Sequence, residues 1–356
     1  MGDETTKPNG FSGVSPPSRP RRVIIDTDPG IDDTFALLLA LGSQEEISID
    51  ALTIVMGNNN DVELLGRNAC RILSWAGKLD IPVILGASVP LYRPYSGHSG
   101  IKVHGQDGFG NVLHKLGGEG GAEEFPQMKL GKDGEDAAAF IVRHCRENSR
   151  KVSLITLGPL TNVGKAFELD PELHQAIPHV YIMGGAVNRA GNKTPVAEAN
   201  FHNDPEAARI VLNCGVPVTL ASLNVTTQLE LSDSFRQKLR DNCGAMGRLL
   251  HDGSQHYVDL LRGWGNPSIP VHDPTAVMAL IRPDLFETVE VYCSVETKGE
   301  LTSGVVVPDF KGHFGGKTPL LRLLTKVKAE EFMEEFFSRL KKASAICEEN
   351  GRLIYA

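Results

Sequence analysis

The feature that most constrains the fold is a recurring order of segments. A short and almost continuously apolar run ends in a loop rich in Gly, Asn or Asp, and a helical stretch follows. The apolar runs predict strands at residues 23–25, 49–55, 81–85, 152–157, 180–183 and 218–225. Helices are predicted at residues 35–41, 65–75, 135–145 and 205–214. Apolar strands that alternate with helices are typical of a mostly parallel sheet covered on both faces. We therefore predict a single large α/β domain over residues 22–356, with its active site at the carboxyl ends of the strands.

Composition sets the first residues apart and narrows the choice of partners. Residues 1–21 are rich in Pro, Ser, Gly and Thr, so we predict a disordered tail. The formal net charge of −8 argues against a nucleic acid partner, because neutralising phosphates requires a basic surface. No apolar run approaches the length needed to span a membrane. The six cysteines are scattered without a C-x-x-C pair, and no secretory signal is visible, which predicts a cytoplasmic protein.

The strongest local motif is acidic and directly follows the first predicted strand. Asp26, Asp28, Asp32 and Asp33 place four carboxylates within eight residues. Unpaired carboxylates at this density repel each other and raise each other's pKa. A hard divalent cation such as Ca²⁺ or Mg²⁺ would relieve that repulsion. The alternative is capping of the following helix by Asp32 and Asp33, which explains only part of the cluster.

Two further groups of polar residues lie far away in the sequence. In the first, Asp273 is a candidate metal ligand and His272 a candidate substrate contact, although Asp273 is equally suited to cap the helix that follows. In the second, Glu198 and Asn200 alternate, so an extended segment would turn both to one side. Together with Asn58 they would suit the vicinal hydroxyls of a sugar. Each of these residues, taken alone, also fits a solvated polar loop.

The motifs resemble those of a known family when they are taken together and in order. They are DTDPGIDD at 26–33, VMGN at 55–58, GPLTN at 158–162, MGG at 183–185, AEAN at 197–200 and HDP at 272–274. This set resembles the inosine-uridine-preferring nucleoside hydrolases over about residues 22–340, and it is most similar to the plant cytosolic uridine ribohydrolases. The resemblance implies calcium-dependent hydrolysis of ribonucleosides of the uridine, inosine and xanthosine class. It also implies a homodimer or homotetramer.

The resemblance further implies roles for individual residues. Asp28 and Asp33 would bind calcium together with Asp273 and the backbone carbonyl of Leu157. Asp28 would also be the general base toward the attacking water, and His272 would assist departure of the base. The remaining positions expected near the substrate are Asp32, Asn58, His104, Met183, Asn192, Glu198, Asn200 and Tyr257.

Tyr257 comes from residues 255–266, where members of the family place side chains that contact the base. The same segment offers His256, Asp259, Arg262 and Trp264. Core packing on a helix is an equally good explanation for Tyr257 and Trp264.

Two other functions remain open at the level of sequence. Asp26-Thr27-Asp28 after a first strand also resembles the start of a haloacid-dehalogenase-like phosphatase, although Gly30 stands where that motif has Thr or Val and Asp32-Asp33 is left unexplained. A calcium-dependent nucleoside-binding protein without turnover is the non-enzymatic alternative. The sequence alone fixes neither the preferred base nor the oligomeric state.

Overall fold

The computed structural model describes residues 19–95, 100–116, 128–129, 134–265, 268–315 and 320–355. Their strands are β1 Arg21–Thr27, β2 Ile47–Ile54, β3 Val83–Leu85, β4 Met128–Lys129, β5 Val152–Thr156, β6 Val180–Met183, β7 Val218–Ala221, β8 Glu230–Leu231, β9 Ile269–Pro270, β10 Phe286–Val295, β11 Val306–Asp309 and β12 Leu320–Val327. Their helices are α1 Ile31–Leu41, α2 Val62–Trp75, α3 Ile101–His104, α4 Ala137–Glu147, α5 Thr161–Leu169, α6 Ala199–Asn203, α7 Pro205–Leu212, α8 Leu223–Thr226, α9 Asp233–Asn242, α10 Gly244–Gly263, α11 Asp273–Ile281 and α12 Ala329–Asn350.

The described strands form one large sheet and one small ribbon. The large sheet has ten strands in the order β11-β10-β12-β7-β6-β5-β1-β2-β3-β4, and β8 pairs with β9 separately. All neighbours from β12 to β4 run parallel, whereas β10 and β11 are added antiparallel at one edge. The prediction of a mostly parallel α/β sheet is confirmed.

Alternation along the strands explains why helices cover both faces of the sheet. In β1, Val23 and Ile25 belong to one buried apolar cluster, whereas Ile24 belongs to another. The first cluster contains apolar residues of α1, α2, α10, α11 and α12, and the second contains those of α4, α5 and α7. Successive side chains of a strand point to opposite faces, so each cluster is the core on one side.

The order of the strands fixes where a ligand site can form. The chain proceeds from β1 to β2, β3 and β4 on one side, whereas β5, β6 and β7 continue on the other side. The strand order therefore reverses beside β1. In open α/β sheets the loops at the carboxyl ends of the strands diverge at such a reversal and leave a crevice.

Three sequence predictions about local structure need adjustment. The strand predicted at 218–225 ends at Ala221, because the chain turns into α8 at Leu223. The first strand already includes Arg21, the last residue of the predicted tail, while residues 1–18 lie outside the described ranges. His272, rather than Asp273, is the N-cap of α11; Asp273 is the first helical residue, and Pro274 follows it. Within the described ranges, no helix is both long and apolar enough to cross a membrane.

Candidate active site

Asp28 lies at the reversal point of the sheet, directly after β1. The backbone N–H of Asn58, which follows β2, donates to Asp28 Oδ2 at 2.7 Å. Gly57 and Gly158 also border the carboxylate, and a Cβ at either position would overlap it. These glycines belong to the loops after β2 and β5, the two neighbours of β1. Glycine at both positions allows two backbones to approach one buried carboxylate.

The side chain of Asp33, in the first turn of α1, hydrogen-bonds back to the acidic loop. Its Oδ2 accepts hydrogen bonds from the Gly30 N–H at 3.0 Å and from Asn58 Nδ2 at 2.9 Å. Its Oδ1 accepts from the hydroxyl of Thr27 and from the N–H of Asp28. The capping role considered for Asp33 is therefore present. Capping accounts for only one member of the cluster, and it holds the Asp33 carboxylate in place beside Asp28 and Asn58.

Three carboxylates come close enough to share one cation. Oxygen atoms of Asp32, Asp33 and Asp273 lie within 4.8 Å of one another. Asp33 and Asp273 are buried, and Oδ1 of Asp32 is buried without a hydrogen-bond partner. No Lys or Arg within the described ranges forms an ion pair with these three side chains. This set of oxygen atoms fits a hard divalent cation.

Burial and mutual repulsion raise the pKa values of the acidic cluster. Burial and the nearby charge of Asp33 raise the pKa of Asp28 well above its usual range. Burial, followed by the charges of Asp32 and Asp33, does the same to the pKa of Asp273. Burial raises the pKa of Asp32 to about 6. Positive charge supplied at this point would return all these groups to their carboxylate forms.

His104 reaches the acidic loop from α3. Its Nδ1 accepts the N–H of Ile31, the first residue of α1, at 3.1 Å. Oδ1 of Asp32 lies 3.7 Å from the same Nδ1, within ion-pair range if the ring were charged. We assign no ion pair, because Nδ1 acts as an acceptor and burial lowers the pKa of His104 to about 4. The ring of Tyr257 lies beside His104, with centroids 6.0 Å apart.

His272 is buried next to Asp273 at the start of α11. Its Nδ1 lies 2.9 Å from the hydroxyl of Thr226, which belongs to α8. Burial and then the charge states of His104 and Arg189 lower the pKa of His272 to about 4. The imidazole is therefore neutral near pH 7, and Thr226 fixes the direction in which its ring faces.

Glu198 and Asn200 enter the site differently from the prediction. They do not lie in an extended segment, because Glu198 is the N-cap of α6 and its carboxylate accepts the N–H groups of Asn200 and Phe201. The same carboxylate accepts the N–H of Gly185 at 2.9 Å and thereby joins α6 to the end of β6. Helix formation thus replaces the expected alternation.

The side chain of Asn200 connects two carbonyl groups at the carboxyl edge of the sheet. Its Nδ2 donates to the Leu157 carbonyl at 2.6 Å and to the Met183 carbonyl at 3.3 Å. Leu157 and Met183 stand at the ends of β5 and β6. The structure therefore brings Leu157, Met183, Glu198 and Asn200 together, as the motifs indicated.

Asn192 and Tyr257 occupy different surroundings. Asn192 is exposed, and its Oδ1 accepts the N–H of Ala199 in the first turn of α6, so it touches the edge of this group rather than the carboxylates. Tyr257 is buried on α10 against His104, whereas Trp264 at the end of the same helix is 68% exposed. The core-packing alternative is therefore wrong for Trp264.

Sequence reasoning missed several residues that shape the site. Gly57 and Gly158 were visible in the motifs, but their contact with Asp28 depends on which strands are neighbours. Thr226 carries no motif at all and lies 46 positions from His272. Arg189 was equally unmarked, although its charge influences His272.

Comparison with known proteins agrees with this geometry. The family model for the inosine-uridine preferring nucleoside hydrolases matches residues 23–334. The pyrimidine-specific ribonucleoside hydrolase RihA of Salmonella paratyphi C is 34% identical over 321 residues, which are 90% of this chain and 98% of the relative.

Solved structures of nucleoside hydrolases are also similar to this chain. A plant nucleoside hydrolase, PpNRh1, has a TM-score of 0.81 at 29% identity, covering 90% of this chain and 99% of the other. A purine-preferring ribonucleoside hydrolase from Gardnerella vaginalis has a TM-score of 0.80 at 28% identity, covering 92% and 100%. The resemblance drawn from the motifs is confirmed, and the phosphatase alternative is removed. The chain belongs to the inosine-uridine preferring nucleoside hydrolase family and is an N-glycosyl hydrolase of ribonucleosides.

Proposed function

We propose that this enzyme is a calcium-dependent hydrolase of ribonucleosides of the uridine, inosine and xanthosine class. We propose uridine as its preferred substrate. The observation that carries the proposal is the buried carboxylate cluster at the reversal point of the sheet, which has no cationic side chain among the described residues to balance it. The bacterial relatives at 34–35% identity are named pyrimidine-specific, which supports uridine. The purine-preferring structure is 28% identical.

We assign the cation to Asp33 and Asp273 of the three-carboxylate set, together with Asp28 and the carbonyl of Leu157, and we assign Asp32, which lies beside the same point, to the ribose. Calcium is favoured over magnesium because it accepts more oxygen ligands and tolerates irregular geometry. The Leu157 carbonyl already accepts Asn200 Nδ2, and its second lone pair remains for a cation. When bound, the ion would supply Lewis-acid polarisation of a water molecule.

Asp28 is the proposed general base. Its Oδ2 is held by the Asn58 N–H, which leaves Oδ1 for a water proton. Burial keeps the pKa of Asp28 high, so its carboxylate form depends on positive charge nearby. The same dependence links proton acceptance to occupancy of the cation site.

The remaining polar residues are proposed to hold the ribose and the base. Glu198 Oε1 accepts one backbone N–H and Oε2 accepts two, so Oε1 keeps a lone pair for a hydroxyl. Positive charge develops at C1′ as the glycosidic bond breaks, and nearby carboxylates stabilise it. Asp32, Asn58, Met183, Asn192, Glu198 and Asn200 would line the ribose, and His104, Tyr257 and His272 the base. His272 would assist the departing base.

Location and assembly are also proposed. All six cysteines are free thiols, which supports the cytoplasm. A homodimer or homotetramer is proposed by analogy with the family, and light scattering after gel filtration would test it. The expected partner is a small ribonucleoside, with no nucleic acid and no membrane.

Ribose release from uridine, inosine, xanthosine and adenosine tests the function. It would be measured with calcium, after chelation, and in Asp28→Asn. Asp50→Asn, a variant of a half-buried aspartate elsewhere in the sheet, is the matched control. We expect calcium-dependent release that disappears in Asp28→Asn and persists in Asp50→Asn. Nucleoside binding by folded, calcium-loaded protein without any release would instead support the non-catalytic alternative.

A further inference from the structure

The loop that carries His104 into the site adopts a backbone that few sequences tolerate. Four residues have positive φ angles: Gly105 at 78°, Gly108 at 78°, Gly110 at 73° and Asn111 at 63°. Three are glycine, for which this region carries no steric cost. A loop with so many left-handed residues has little intrinsic preference for its conformation, so other interactions must select it.

The carboxylate of Asp107 lies at the centre of this loop. Its Oδ1 accepts the N–H groups of Phe109 and Asn111, each at 2.8 Å, and its Oδ2 accepts the N–H of Leu113 at 3.0 Å. Three backbone donors on one carboxylate are charge-assisted hydrogen bonds, which are stronger than neutral ones. The Asn111 side chain adds a bond from the Gln106 N–H at 2.7 Å.

The folded loop is fastened to two helices. Asn68 of α2 donates to the Asp107 carbonyl at 2.9 Å, and the Phe109 ring contacts Trp75 at the end of α2 with centroids 5.6 Å apart. Gly110 passes so close to the Gly253 carbonyl of α10 that a Cβ would overlap it. The loop is therefore held at a fixed position between α2 and α10.

One hydrogen bond transmits this position to the site. The Gly110 N–H donates to the His104 carbonyl at 2.8 Å, and the His104 side chain accepts the Ile31 N–H at the start of α1. Within the described ranges, the hydrogen bonds of Asp107 go to backbone groups of its own loop and to Asn68. Asp107 would therefore act on hydrolysis indirectly, through the loop and His104.

We infer that Asp107 is a positioning residue that sets the place of the His104 imidazole against the acidic loop. The inference rests on the proposed function, in which His104 lies beside the bound nucleoside. An asparagine at position 107 keeps the shape but turns an NH₂ group toward backbone donors, so at least one of the three bonds is lost. The His104 ring then loses its fixed position, while Asp28 and Asp273 keep theirs.

A double-mutant cycle tests this coupling. Asp107→Asn should lower kcat/KM by about tenfold, the range found for residues that orient a reacting group. In a His104→Ala background the same change should lower kcat/KM by less than about twofold, because the group it orients is gone. Equal losses in both backgrounds, or no loss in either, would overturn the inference.

Asp309→Asn provides a matched control for folding effects. Asp309 also accepts backbone N–H groups, from Lys311 and Phe314, but it stands at the end of β11, six strands from β1. It should leave kcat/KM unchanged. If Asp107→Asn does not fold, Asn111→Gly keeps the positive φ and removes only the bond to Gln106. Asn111→Gly should lower kcat/KM by less than Asp107→Asn does, and it should have no effect in the His104→Ala background. An equal loss of kcat/KM in both backgrounds would contradict the inference. An inactive wild-type enzyme would instead refute the proposed function.

Discussion

Two regions of the same sheet contain shielded aspartates, and their negative charge is balanced in one region but not in the other. Near the amino ends of β1 and β2, Asp50 receives two hydrogen bonds from Arg22, at 3.0 and 2.7 Å, and lies 2.7 Å from His144 Nε2. Burial alone would raise the pKa of Asp50, but the bonds from His144 and Arg22 outweigh it and hold that pKa below its usual range. At the carboxyl ends, Asp28 and Asp273 have raised pKa values.

The difference separates a charge arranged for stability from charges arranged for a ligand. The Asp50 network is complete within the protein, so the folded chain has nothing to gain there from an ion. The acidic cluster is incomplete, and Asp32 Oδ1 is buried without a partner. Buried carboxylates that repel each other lower the stability of the chain unless a cation joins them. Substitutions in the two regions should therefore act in opposite directions.

The largest contrast is expected from Asp273→Asn. Removing this ligand should lower calcium-dependent kcat by on the order of a thousandfold, because a cation supplies several kcal/mol of charge stabilisation. In chelator, the same variant should melt at a higher temperature than the wild type, since one buried repulsive charge is gone. Ribose release and thermal melting measure the two effects. A lower melting temperature in chelator would show that Asp273 stabilises the ion-free fold.

His272→Ala should give the next largest effect. The neutral imidazole would assist departure by donating a ring N–H hydrogen bond to the base, and its loss should lower kcat by about a hundredfold. A riboside with an acidic leaving group, which needs no hydrogen-bond donor, should be hydrolysed at nearly the wild-type rate. Comparison of the two substrates in one variant measures the role directly. An equal loss for both substrates would assign His272 to binding or to structure instead.

The third prediction concerns pH. The pKa of Asp32 is about 6 in the folded protein and 3.8 ordinarily, so ion-free folded protein holds protons that the unfolded chain releases. Its stability from this group is therefore full below pH 3.8 and is lost as pH rises through about 6. Calcium replaces those protons. The rise in Tm caused by calcium should thus grow from pH 5 to pH 8, to on the order of 5 °C at saturation.

The lowered pKa values of His104 and His272 make stability change with pH in the opposite direction. Their neutral folded forms lose stability as pH falls below about 6.5, toward the folded values of about 4. Measuring the difference in Tm with and without calcium at each pH isolates the carboxylate effect. A calcium shift that is constant over this range would contradict the raised carboxylate pKa values.

The same comparison shows what sequence can predict. The acidic site was visible because four aspartates follow a buried apolar run, and apolar runs reveal parallel strands. Strand order then determined that Asp28 meets Gly57 and Gly158. The Asp50 network was invisible, because Arg22, Asp50 and His144 are ordinary surface residue types separated by 28 and 94 positions.

Local conformation was less predictable than the site. Alternation over five residues indicated an extended segment at Glu198, but a single carboxylate that accepts two N–H groups is enough to close a helical turn there. The antiparallel strands β10 and β11 were not predicted, although Val291, Cys293 and Val295 of β10 are buried at every second position, the period of a half-buried strand. Contacts such as that between His104 and the Ile31 N–H, 73 positions apart, follow only from the assembled fold.

The smallest expected effect belongs to Asp50→Asn and completes the comparison. The amide cannot satisfy both Arg22 and His144, so the free energy of unfolding should fall by about 1–2 kcal/mol, discounted because Arg22 is 36% exposed. The pKa of Asp50 is lowered, so this contribution is present above pH 3.8 and is lost as pH falls through the folded pKa. Denaturant unfolding should therefore show a smaller deficit at pH 3 than at pH 7. The kcat of the variant should stay within about twofold of the wild type, since no hydrogen bond of Asp50 reaches the carboxyl ends of the strands. A large loss of kcat with intact stability would mean that the two carboxylate groups communicate through β1 and are not independent.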